Sequence, residues 1–372
     1  MLVLKKRDFY KKTVGLKVFK KKGGFFQMKK IIGILLAGAL VTSAFAADVN
    51  ARVQVDGSLF TVDNGSFSAL TIGHKSQPWN PDMSISINGD RAGASSSFVT
   101  SGADALNNTT FGIQAQKYSI WFKPFDMLKV TVGHYATDMN QEKIDWTHTE
   151  SGIESQGYAL DLNVEGFFAT AFFAPGWGNS WFSLPKDGEV ALEDIYVKAG
   201  YSADFGRIQA MFHMIDLKNI WAGAGYNNTF GSVSMFVNAL VGFNTTGGLT
   251  VRGEGYVSTN IDAFGISAFV AGGYVGEGDV NRGSQWKIGS NDYGKPAGAR
   301  LGASLKLTYA LGGCTPYIYV CDKQILSDAF ALQVKPGVTG SLGSMGWEVA
   351  LDMNFGNNSF KLDVPVCFNV NF

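Results

Sequence analysis

Four histidines are the first residues to test for chemistry: His74, His134, His148 and His213. None falls in a metal-binding spacing such as His-Glu-x-x-His. His148 has Asp145 and Ser151 three residues to either side. Those types make a nucleophile, its base and an orienting carboxylate, but crowded into one loop they read as coincidence. Cys314, Cys321 and Cys367 make an odd count, so no disulfide framework is implied. A Cys314–Cys321 bridge fails if both lie along one strand, where seven residues span about 23 Å, beyond disulfide reach. No catalytic site, metal or cofactor is expected. What remains is electrostatic. Arg207, Gln209, Arg252, Glu254, Arg300, Lys306, Glu348 and Asp352 each stand between apolar neighbours.

Those neighbours define the elements. From Ser359 to Phe372, apolar Phe360, Leu362, Val364, Val366, Phe368, Val370 and Phe372 alternate with Lys361, Asp363, Pro365, Cys367, Asn369 and Asn371. A strand sends successive side chains to opposite faces, so one face here is apolar and the other polar. The run exceeds the usual strand of about 5 to 6 residues. It meets the about 9 to 11 that cross the apolar layer of a membrane.

Composition agrees with repetition of this unit. The 372 residues include 46 glycines and 9 prolines, with 13% aromatic and 17% charged residues, and mean hydropathy is +0.05. Alternating strands cancel in hydropathy, whereas membrane helices do not. Eleven of the 31 bases and one of the 31 acids fall in residues 1–46, which leaves the remainder ten charges negative. Nucleic acid is therefore not an expected partner. Met28-Lys29-Lys30, the apolar run Ile31 to Val41 and Ala44-Phe45-Ala46 read as a signal peptide cut before Ala47. Residues 1–27 read as a basic extension from a misplaced start, with a basic targeting arm as the alternative, residues 28–46 as the leader, and residues 47–372 as a single domain.

Within that domain, Val49 to Leu59 alternates, Ala94 to Asn108 is small and polar and reads as loop, and Asp138 to Ser155 is a long acidic loop. From Asp194 a strand repeatedly ends in an aromatic or Leu followed by Gly, as in Asp204-Phe205-Gly206 and Ala263-Phe264-Gly265. The fold expected is all-β: a transmembrane antiparallel up-and-down barrel of about 18 strands, or 16 if the region before Asn108 loses a pair. Tight turns fall at the end that holds the C-terminus, the periplasmic end, and longer loops at the other. Ile208, Val251, Val257, Leu301 and Leu305 then face lipid, and the polar residues named above line the inside. Shifting a strand by one residue would press Lys or Arg against lipid, at roughly 2–4 kcal/mol each near the midplane. Barrels of 16 to 18 strands enclose water, so the expected function is passive diffusion of small hydrophilic solutes. Acids of the long loop (Asp138, Glu142, Asp145, Glu150, Glu154) facing Arg207, Arg252 and Arg300 would set a transverse field. The negative net charge implies mild cation preference.

The leader, the alternating strands and terminal Phe372 together resemble Gram-negative and spirochaete outer-membrane β-barrels, the porins especially. The resemblance implies an outer-membrane location in lipid, no enzymatic activity, frequent assembly as trimers and a third external loop folded into the lumen. Asp138 to Ser155 is third in order here. It also implies that the last strand, with Phe372, is the signal read by the barrel-assembly machinery. Pro365 departs from the pattern, because a paired strand needs the donor it lacks; a bulge or lost pairing is expected there. The competing class is a non-conducting surface barrel, an adhesin or structural protein, whose Trp146, Trp177, Trp181 and Trp286 would bind partners. N-terminal sequencing of the protein from cell envelopes should begin at Ala47.

Overall fold

The computed structural model describes residues 48–72, 83–101, 112–139, 152–175, 192–215, 219–244, 248–276, 298–322, 324–326 and 331–372. The leader and the extension before it lie outside the described residues, as do His74, His148, Glu142, Asp145, Glu150 and the four loop tryptophans.

Twenty strand elements follow one another: β1 (Asp48–Asp63), β2 (Ser66–Ile72), β3 (Met83–Asn88), β4 (Ala92–Ser101), β5 (Gly112–Phe125), β6 (Leu128–Asp138) and β7 (Gly152–Val164) come first. Then come β8 (Phe167–Pro175), β9 (Leu192–Ala203), β10 (Gly206–Ile215), β11 (Asn219–Phe230), β12 (Val233–Asn244), β13 (Leu249–Ile261) and β14 (Phe264–Val275). The set closes with β15 (Gly298–Tyr309), β16 (Cys314–Asp322), β17 (Ala331–Leu342), β18 (Met345–Ala350), β19 (Asp352–Gly356) and β20 (Ser359–Asn371). β2 and β3 pair with successive halves of β1, so they share one position in the wall. β18 and β19 both lie between β17 and β20 and share another. The wall therefore has 18 antiparallel strands, and β1 pairing with β20 closes it.

Alternation sorts the two faces. On β13, Arg252 is 3% exposed while Val257 is 44% exposed. On β15, Leu305 is 41% exposed, whereas Lys306 turns the other way and sets its Nζ 4.9 Å over the Tyr317 ring. The apolar exposed side continues through Ile208, Phe212, Val237, Val241, Val251 and Val270. A continuous apolar outer band is stable against hydrocarbon and not against water.

Turns at 126–127, 165–166, 204–205, 231–232, 262–263 and 343–344 share the end that holds both chain termini of the barrel. Two further tight turns, at 64–65 and 357–358, lie at the opposite end, so the division of turns and loops is not complete. Asn64-Gly65 and Glu165-Gly166 have φ of 47° and 86°, and of 45° and 87°. Two successive left-handed residues give the turn whose twist matches a hairpin. The segment expected as loop from Ala94 contains most of β4. Its serines pair through backbone, Ser95 with Ser119 and Ser97 with Lys117, and a polar inner face carries no apolar signal to read.

Two prolines flank a break in the ladder near the seam. Around Pro365, β1 slips between Ser58 and Thr61, and β20 loses its partner between Val349 and Asp352. Pro336 on β17 flanks the same interruption from the other side, where Leu351 N–H donates to the Pro336 carbonyl at 2.9 Å. Asp363 accepts from Thr61 Oγ1 at 2.9 Å and from Ser58 Oγ. These bonds return to the bulge some of the pairing the prolines remove. Placing Arg at Val257 should destabilise the barrel by about 2–4 kcal/mol if the position is near the midplane. Urea titration in liposomes measures it, with an Arg at inward Thr308 as the insensitive control.

Candidate functional site

The inner wall is not evenly wet. On β8 to β12 its residues include Phe168, Phe172, Tyr196, Met211, Trp221 and Leu240, all buried. On β12 to β16 they include Phe236, Phe269, Val275 and Cys321, with Tyr256 and Tyr319 packed against them. The inside is therefore not lined by the polar residues alone. Strand β8 reads Phe-Phe-Ala-Thr-Ala-Phe-Phe-Ala, apolar on both faces, so alternation offers no parity there except at Thr170.

The reason for this dry side is a tongue. β6 stays paired to β7 up to Asp138 opposite Gly152. Its pairing to β5 stops at Gly133 opposite Ser119, and the pairing of β7 to β8 stops at Tyr158 opposite Phe173. The hairpin above those points is detached from both neighbours. Gly133 takes φ +110°, and a Cβ on it would stand 2.3 Å from the Tyr118 carbonyl oxygen. Only glycine permits that bend. One face of the tongue, with Tyr135, Met139 and Ile153, packs onto the inner faces of β8 to β12. Met139 is 1% exposed and clusters with Phe172, Tyr196, Met211, Trp221 and Leu240. Tyr135 stacks on Phe172 with centroids 5.6 Å apart. Polar bonds fix the edge: Lys198 Nζ donates to Thr137 Oγ1 at 2.6 Å and to the Asp138 carbonyl at 2.8 Å, and Gln209 Nε2 donates to the Met139 carbonyl. On the other face, Glu154 meets Lys117 of β5 and lies 3.4 Å from His134 Nε2.

Beside the tongue is a cavity of about 460 Å³. Lys123, Lys129, Lys198 and Arg207 line it, with Asp126, Asp161, Tyr135, Thr170 and Phe168. The Arg207 guanidinium stands 3.7 Å over the Phe168 ring, and Lys129 Nζ 5.1 Å over Trp121. Asp161 accepts from Tyr135 at 2.5 Å and Thr170 at 2.8 Å. Asp126 pairs at the rim with Arg91 at 3.0 Å. Positive charge predominates.

The other candidate residues scatter around the wall. Arg252 and Glu254 sit 3.0 Å apart with Asn238 donating to Glu254 at 2.8 Å, both charges fully buried. Gln209 is likewise buried. These three are buried among their inner-wall neighbours. Glu348 collects Tyr317 Oη at 2.5 Å and Lys335 Nζ at 2.9 Å. Asp352 accepts from Gln333 and Asn354, at 2.8 and 2.9 Å. Arg300 donates to the Ala299 carbonyl at 3.1 Å. Asp138 and Glu154 are strand residues of the tongue and not loop residues. Phe372 is 74% exposed, and its backbone N–H donates to Ala51 at 2.8 Å across the closing seam. Lys117, Lys123, Lys129 and Asp161 went unnamed in the sequence; their inward parity was the available signal.

No family model matches the chain, and no curated protein sequence matches it. Solved structures do. The outer membrane protein OpdK from Pseudomonas aeruginosa superposes with a TM-score of 0.58 at 10% identity, over 87% of this chain and 99% of that one. The chain has the fold of an outer-membrane porin. A BenF-like porin from Pseudomonas fluorescens Pf-5 gives 0.57 at 10% identity, over 88% and 98%. OccK2 (OpdF) from Pseudomonas aeruginosa gives 0.57 at 9%, over 88% and 97%. At such identities the porin fold is shared and the wall residues are this chain's own. Met139→Ala should loosen the tongue by about 2–5 kcal/mol. Hydrogen exchange should then rise at residues 134–138 and 152–157 while β13 and β14 stay protected.

Proposed function

We propose that the chain is a bacterial outer-membrane channel for passive diffusion of small hydrophilic solutes, with a preference for anions. The observation that carries this reading is the cavity beside the tongue, where Lys123, Lys129, Lys198 and Arg207 face Asp126 and Asp161. Opposite charges concentrate in a confined, low-dielectric passage lined by one sign. Net charge had suggested cations, but it counts acids wherever they lie. A permeating ion responds to the wall it passes. The lining of this cavity carries four cationic side chains and two acids, and one of the acids is held by Tyr135 and Thr170. The aromatic faces under Arg207 and Lys129 suit a solute that joins an anionic group to a compact apolar part. Phe372 is proposed as the assembly signal, because it ends β20 at the seam and is exposed there.

Planar-bilayer recording of the refolded protein tests the reading. Steps of fixed size are expected, with a reversal potential of anion-selective sign in a potassium chloride gradient. Lys129→Glu with Lys123→Glu should move that potential toward cations. Silence from correctly folded barrels would favour a non-conducting surface protein.

A further inference from the structure

We infer that Lys198 couples occupancy of the cavity by an anion to the attachment of the tongue. The inference rests on the anion-passing reading above. Lys198 belongs to both structures. Its ammonium donates to Thr137 Oγ1 and the Asp138 carbonyl, at 2.6 and 2.8 Å, and the same side chain lines the cavity. Both of its acceptors are neutral oxygens. A carboxylate offers this ammonium a full opposite charge, where the two neutral oxygens offer only dipoles. A carboxylate in the cavity therefore competes for this ammonium on favourable terms. Arg207 lines the same cavity with its guanidinium over the Phe168 ring. A carboxylate bridging Arg207 and Lys198 would draw Lys198 away from residues 137 and 138.

The remaining contacts determine what happens next. Gln209 still holds the Met139 carbonyl, and Met139 still sits among Met211, Trp221 and Leu240. On the far face Glu154 still meets Lys117. Losing the Lys198 bonds thus weakens one edge of the tongue and leaves the barrel intact. The tongue should leave the wall more often, not permanently. Lys198 is in this sense a positioning residue. It holds the described end of β6 against the β9 wall until an anion arrives.

Single-channel recording of the full-length refolded protein in potassium chloride, with potassium benzoate added as probe, tests the coupling. In the wild type, saturating benzoate should raise the open-to-closed ratio about thirtyfold, the worth of roughly two hydrogen bonds. Lys198→Met should show the raised ratio without benzoate and no response to it. Thr137→Val removes one acceptor; it should start from an intermediate ratio and still respond. If Lys198→Met does not fold, the wild-type titration and Thr137→Val carry the test. A wild-type ratio indifferent to benzoate, an absence of closing events, or a Lys198→Met response equal to the wild type would overturn the coupling. Anion-selective conductance together with any of these results would leave the channel reading standing. Absence of conductance would remove both.

Discussion

A backbone inside hydrocarbon has no water to bond with, so every amide must find its partner within the wall. That constraint explains why the sheet closes. β1 and β20 carry the closure, from Arg52 opposite Asn371 to Asp63 opposite Lys361, and Phe372 exchanges backbone bonds with Ala51 at the end of the seam. Pro365 lies in that seam and Pro336 on β17, and each proline lacks a donor. Near them Leu351 N–H bonds to the Pro336 carbonyl, and Asp363 accepts from Ser58 and Thr61 at the bulge.

Closure leaves an interior that the outer face does not specify. Here the interior is divided. A tongue of β6 and β7, freed above Gly133 and Tyr158, lies on the β8 to β12 wall and dries it. Buried polar groups of the inner wall are tied into the packing: Gln209 of β10 to the tongue, Arg252 and Glu254 of β13 to each other. The basic cavity lies where tongue and wall meet. Lys198 serves both, so the piece that narrows the lumen and the piece that attracts a solute share one charge.

The barrel was legible because its signal is local. A two-residue period needs only neighbouring side chains, and a membrane punishes any slip of register, so Leu305 outward and Lys306 inward followed from their order alone. Pro365 predicted its bulge on the same local ground. Reading stopped where both faces have one character. Phe167 to Ala174 is apolar on each side, and Ala92 to Ser101 is small and polar on nearly all of it; the first concealed its inner aromatics and the second its strand.

The sequence by itself determined the wall: its alternation, its closure into a barrel of about 16 to 18 strands and, where the two faces differ in character, which of them meets lipid. Only the tertiary structure decided what stands inside it. Met139 is far along the chain from Trp221 and Leu240, and Lys198 from Thr137; no period links them. Their meeting depends on a bend at Gly133 that lets a paired hairpin leave its neighbours, and such a bend is set by contacts across the lumen rather than by the order of residues along one strand.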